Sequence, residues 1–271
     1  MSRPRRAGVL VLVGTALAAI AAVLALPPIP QDPRYHEFAD RRTILGVPNF
    51  LNVGSNAAFV LVGGLGLAFV LGRTPARPGG PFATTWERGA FAVMFAAVAA
   101  TGLGSAYYHL DPTTARLFWD RLPITVSIMA LLAITIAERI NTRAGAWLLG
   151  PLVAAGIASA IHWHLGELRG AGDLRFYALV QFYPMLAIPL LVWLCPPRYT
   201  RGRDLVETVG WYVAARGFEA LDAPVLALGE LVGGHTVKHL LSAVASYWLL
   251  RMVSARRPIA APADGSRVSP T

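Results

Sequence analysis

Five side chains able to do polar chemistry lie inside hydrophobic stretches: Ser105 and His109, then Asp120, then His235 and His239. The spacing within each pair is i, i+4, which stacks both side chains on one face of a helix. Each lies where an apolar run of membrane-spanning length meets one surface, and ionisable groups so placed mark ion, proton or substrate sites. Three neutral imidazoles leave a fourth tetrahedral position for water, the arrangement of a catalytic rather than a closed structural zinc (Zn2+) site. A metal so held lowers the pKa of its water toward neutrality and polarises a carbonyl. Asp120 could accept a proton from that water and return it to a leaving amine. Ser105, one turn deeper than His109, could orient the water or donate to an oxyanion. The competing reading is of interfacial histidines at helix ends; the common depth of all five groups favours the metal.

The elements that must position these groups follow from composition. The chain has 271 residues, 55% of them hydrophobic and 14% charged, with mean hydropathy +0.52, too apolar for a soluble domain of this size. Cys195 is the single cysteine, so there is no internal disulfide or Cys-x-x-Cys motif, and a metal must be held by His, Asp or Glu. The net charge of +9 comes from Lys and Arg dispersed over short loops, which reads as membrane topology and excludes a nucleic-acid partner.

Apolar runs at Gly8–Leu26, Phe50–Leu71, Arg88–His109, Trp119–Ala137, Ala146–Trp163, Tyr177–Cys195, Leu205–Leu228 and Gly234–Met252 predict eight helices. The seventh is interrupted by Arg216, Glu219 and Asp222. Arg3, Arg5 and Arg6, Arg73 and Arg77, Arg139 and Arg143, Arg198, Arg201 and Arg203, and Arg256 and Arg257 fall at every second boundary, which places those boundaries and both termini in the cytoplasm. The five polar groups then lie within about 5 to 10 Å of the outer surface. The first run also resembles a cleavable signal peptide, but its length favours a retained helix. Three parts are expected: residues 1–48 with the first helix and an outer loop, a core at 49–253, and a disordered cytoplasmic tail at 254–271. The Ala, Gly, Arg and Pro richness points to a bacterial inner membrane.

The segments Gly104-Ser105-Ala106-Tyr107-Tyr108-His109, Trp119-Asp120-Arg121-Leu122-Pro123 and Gly234-His235-Thr236-Val237-Lys238-His239 resemble the three signatures of the alkaline ceramidases. This family belongs to a superfamily of seven-helix membrane hydrolases that includes the progestin and adiponectin receptors. Asn49-Phe50-Leu51-Asn52-Val53-Gly54-Ser55-Asn56 is similar to the polar start of that family's first core helix, and the resemblance covers Asn49 to Leu250. It implies an all-α integral membrane protein with a seven-helix core plus one extra N-terminal transmembrane helix. It further implies His109, His235 and His239 as zinc ligands, Asp120 and Ser105 beside the attacking water, and a ceramide-like membrane lipid as substrate. Some family members carry an acidic calcium cluster before the first core helix. Here Asp32, Glu37 and Asp40 stand among Arg34, Arg41 and Arg42, which argues against calcium.

The expected activity is therefore zinc-dependent hydrolysis of an N-acyl lipid to a fatty acid and a long-chain base. Two readings stand beside it: a receptor-like or lipid-sensing protein with a structural zinc, and a metal-free serine hydrolase using Ser105. Among the other polar groups, His162 and His164 at i, i+2 point to different sides and are read as interfacial, with Trp163 as an anchor. His36 is expected to be solvated. Glu219 and Asp222 at i, i+3 are expected to share a helix face and pair with Lys238. Asn49, Asn52, Ser55 and Asn56 are read chiefly as packing contacts.

Overall fold

Short polar side chains fix where several long apolar helices begin. Thr84 accepts from the Glu87 amide, Thr113 from that of Arg116, and Asn141 from those of Arg143 and Ala144, satisfying donors that have no partner within the helix. The computed structural model describes residues 3–72 and 76–259. Its helices are α1 (Arg3–Ala25), α2 (Phe50–Gly54), α3 (Ala57–Leu71), α4 (Thr85–Leu110), α5 (Thr114–Arg139), α6 (Thr142–Leu168), α7 (Arg175–Leu194), α8 (Asp204–Ala220), α9 (Asp222–Ala227) and α10 (Gly234–Ala255). A 3-10 turn covers Pro33–His36, and no β-strand occurs among the described residues. Six stretches are long and apolar enough to cross a membrane: α1, the Phe50–Leu71 stretch holding α2 and α3, and α4 through α7. The protein is all-helical and has the make-up of an integral membrane protein.

Each of the eight predicted runs holds a long helix, and two are interrupted. Between α2 and α3, the side chains of Ser55 and Asn56 both donate to the Asn52 carbonyl, at 3.2 and 2.7 Å, and compete there with the helix amides. The second break, at Leu221, separates α8 from α9 and so puts Glu219 and Asp222 on different helices. The expectation that they share one face is corrected below.

Seven helices touch in chain order, α3 to α4, α5, α6, α7, α8 and α10, and α10 returns to α3, closing a ring. Helix α5 also meets α7, and its C-terminal part from Ile128 to Arg139 is buried throughout. Helix α1 lies outside this ring against α7. There Gly8 faces Cys195, and Tyr183 Oη donates to the Leu12 carbonyl at 2.7 Å. Arginines read from the sequence as loop charges are used differently. Arg256 is buried, pairs with Glu138, donates to the Pro81 carbonyl at 2.8 Å and lies 4.1 Å over the Tyr199 ring. Arg139 is likewise buried and donates to the carbonyls of Val192 and Cys195. The first residues of the expected 254–271 tail belong to the bundle instead: α10 runs to Ala255 and Arg256 is a core residue. Residues 260–271 and Arg73 lie outside the described residues.

At the other end of the bundle, the segment after α1 is tied down. Leu174 donates to the Ile29 carbonyl at 2.8 Å, Arg175 donates to the Leu26 carbonyl, and the Gln31 amide bonds Glu167 at 2.8 Å. Arg175 grips Asp173 through its guanidinium and its amide, and this holds the Asp173 carboxyl down at about 2. A carboxyl depressed on folding stabilises above its unfolded pKa of about 3.9, and that contribution is lost as pH falls through the folded value. Asp173→Asn should lower the melting temperature at pH 7, with the gap to the wild type closing toward pH 2 in detergent-solubilised unfolding curves. Packing gives a second expectation. A Cβ on Gly104 would stand 2.1 Å from the Trp119 carbonyl oxygen, whereas one on Gly64 would meet nothing within 4 Å. Gly104→Ala should cost about 1–3 kcal/mol or more, and Gly64→Ala should leave thermal stability unchanged or raised.

Candidate metal centre

His109 sits in the last turn of α4, and His235 and His239 in the first turns of α10. All three are buried, at 0%, 4% and 1% exposure. Their rings meet pairwise with centroids 4.8 to 4.9 Å apart. One nitrogen from each lies within 4.8 Å of the others. The structure therefore brings together the three histidines that the sequence singled out, from helices far apart in the chain.

Small residues and a polar turn make this approach possible. Gly104 lets α4 touch the α5 backbone one residue from both Ser105 and Asp120. Gly234 does the same for α10, since a Cβ there would stand 2.2 Å from the Phe218 carbonyl oxygen. The polar residues around α2 then bind both histidine-bearing helices. Asn49, in the left-handed region at φ 48°, donates to the His109 carbonyl at 2.9 Å. Asn52 accepts from Thr236 at 2.7 Å, and Ser55 bonds His239 Nδ1 at 2.8 Å. These residues do more than pack helices.

The contacts of Ser55 also fix a tautomer. Its hydroxyl hydrogen goes to the Asn52 carbonyl, so its oxygen accepts from His239 Nδ1–H and leaves Nε2 with a lone pair. That Nε2 is buried and has no partner among the described residues, and neither has either nitrogen of His109. Orphaned buried imidazole nitrogens in such a cluster fit a bound divalent metal, with an outer hydrogen bond orienting the ligand. His235 is held by its backbone: Asp222 accepts from its amide at 2.8 Å and from the Ala39 amide at 2.9 Å. Asp222 thus anchors a metal-ligand candidate and does not pair with Lys238. Lys238 bonds Glu219 and His235 Nε2, at 3.2 and 3.1 Å. Phe38 packs on His109 and His235 with centroids 4.6 and 4.5 Å away.

Ser105 and Asp120 are buried and line a cavity that His239 also lines. Ser105 hydrogen-bonds to none of the histidines among the described residues. Other expectations change as well. Trp163 is fully buried and donates to Glu167 at 3.0 Å, so it is core and not an interfacial anchor. His36 is half-buried between Tyr108 Oη at 2.8 Å and Thr114 Oγ1 at 3.0 Å, and burial pushes its imidazole below the ordinary range. His162 and His164 lie away from the cluster, and His164 packs on Phe118 at 4.7 Å. Asp32 and Asp40 are taken by Arg34 and Arg42, at 2.8 and 2.7 Å.

The outer contacts carry their own test. If the three histidines hold a divalent metal, Ser55→Ala and Asp222→Asn should each weaken its binding by about 10–100-fold in chelator competition while leaving the helical content intact. No protein-family model matches this chain and no curated protein matches it, so its residues and geometry alone carry the reading of what it does.

Proposed function

We propose that this protein is a zinc-dependent membrane hydrolase of lipid amides, of the alkaline ceramidase type, acting on ceramide or a similar N-acyl lipid. The observation that carries it is the juxtaposition of three buried imidazoles with a cavity that His239, Ser105 and Asp120 line together and that extends between α4 and α5 past Val98, Met94, Ile124, Ile128 and Leu131. Helix periodicity builds that cavity. Ser105, Thr101, Val98 and Met94 form one face of α4, and Asp120, Ile124, Ile128 and Leu131 one face of α5. From Asp120 to Leu131 the lining extends about 16 Å along α5, a path suited to a fatty acyl chain.

His109, His235 and His239 would hold the metal, which supplies carbonyl polarisation and an acidified water. Asp120 takes up the proton of that water and returns it to the departing amine. Ser105 donates to the oxygen of the acyl group as negative charge develops there. The apolar walls of α4 and α5 hold the acyl chain and exclude water from the reacting amide. The products are a fatty acid and a free amine. In this reading the seven-helix ring spans the bilayer, α1 is an eighth span, and the site faces outward from a bacterial inner membrane.

His239→Ala should remove both stoichiometric zinc and amide hydrolysis, read by metal analysis and by mass spectrometry of released fatty acid. Asp120→Asn should keep the zinc and lower turnover by about 10²–10⁴-fold. Full turnover in metal-free protein would contradict the proposal.

A further inference from the structure

Next to Asp120 in α5 lies Arg121, 6% exposed and lining the same cavity. A buried guanidinium is ordinarily matched by a carboxylate. Among the described residues Arg121 makes no ion pair. Its Nη2 donates to Gln31 Oε1 at 2.7 Å, and its buried Nη1 meets no acceptor among those residues. The rings of Trp163, Tyr177 and Tyr35 lie 4.2, 4.8 and 5.4 Å from it; they hold its plane and exclude water but bring no counter-charge.

The nearby acids are committed elsewhere. Glu219 accepts from Lys238 at 3.2 Å and Tyr35 at 3.1 Å and pairs with Arg216. Glu167 accepts from Trp163 and from the Gln31 amide. Three cations, Arg121, Arg216 and Lys238, therefore line a cavity to which Asp120 adds the lone carboxylate.

We infer that the lipid taken by this site carries a carboxylate close to its amide, in the manner of an N-acyl amino acid, and that Arg121 receives it. This rests on the hydrolase reading and narrows its substrate class from neutral amides to anionic ones. The reaction balances: the water oxygen joins the acyl carbon, the C–N bond breaks, and the nitrogen leaves with a proton as the free amino acid. Arg121 binds the group beside the reacting bond and takes no proton.

The test uses the full chain, zinc-loaded, in non-ionic detergent, with two probes that contain no N-acyl bond: hexadecyloxyacetate and its neutral counterpart 2-(hexadecyloxy)ethanol. Calorimetry should show the acetate binding at least about tenfold tighter, the size of one charge-assisted hydrogen bond. The preference should vanish in Arg121→Gln and survive in part in Arg121→Lys, with zinc content unchanged in both. Equal affinities in the wild type would overturn the inference without any variant, and so would a full preference in a folded Arg121→Gln. A preserved preference with no turnover of N-palmitoylglycine or ceramide would support the anion site and remove the hydrolase reading. Turnover of ceramide without any preference would do the reverse.

Discussion

Three imidazoles packed together away from water, two of them with nitrogens that no group among the described residues satisfies, are the constraint on which the rest of this structure depends. Such a cluster is costly unless its nitrogens find donors or a cation. The protein meets part of that cost with fixed partners: Ser55 for His239, Lys238 for His235. His109 is given none, and its two nitrogens stay open. The glycines at 104 and 234, the polar turn at α2 and the anchoring of α10 by Asp222 all serve to hold these rings at one place. Their positions make little sense as packing alone, because each touches a helix end that carries a histidine.

Much of this was legible in the sequence because membrane helices leave strong signals. Spanning length and apolar runs located every long helix to within a few residues, and i, i+4 spacing picked out both histidine-bearing turns. Two kinds of feature were not legible. Local competition for a backbone acceptor broke one predicted run, at Ser55–Asn56; another broke at Leu221, where Asp222 went to an amide instead of to Lys238. A count of apolar residues does not register such competition.

The other kind is partner identity. Arg139 and Arg256 read as loop charges because they flank apolar runs, yet they are buried and bonded across the bundle. Trp163 read as an interfacial ring by its place near a helix end, yet it lies under a guanidinium. For Asn49, Asn52 and Ser55 the residue types were noticed but their targets were not, since those lie on helices α4 and α10. In each case the missing knowledge was which distant element arrives beside the residue, and periodicity within one helix carries none of it.

The closure of the helix ring on itself has a consequence for biogenesis. Two of the three histidines belong to α10, the last helix among the described residues, which packs on α8 and α3, while the third ends α4. During synthesis α3 to α7 can already pack through neighbours in the chain, but the lone His109 on α4 then has no companions. The three-histidine group is complete only once α10 joins and the two ends of the ring meet. The candidate metal centre is thus completed all at once, so a chain arrested before α10 would hold most of the bundle and one histidine of the three.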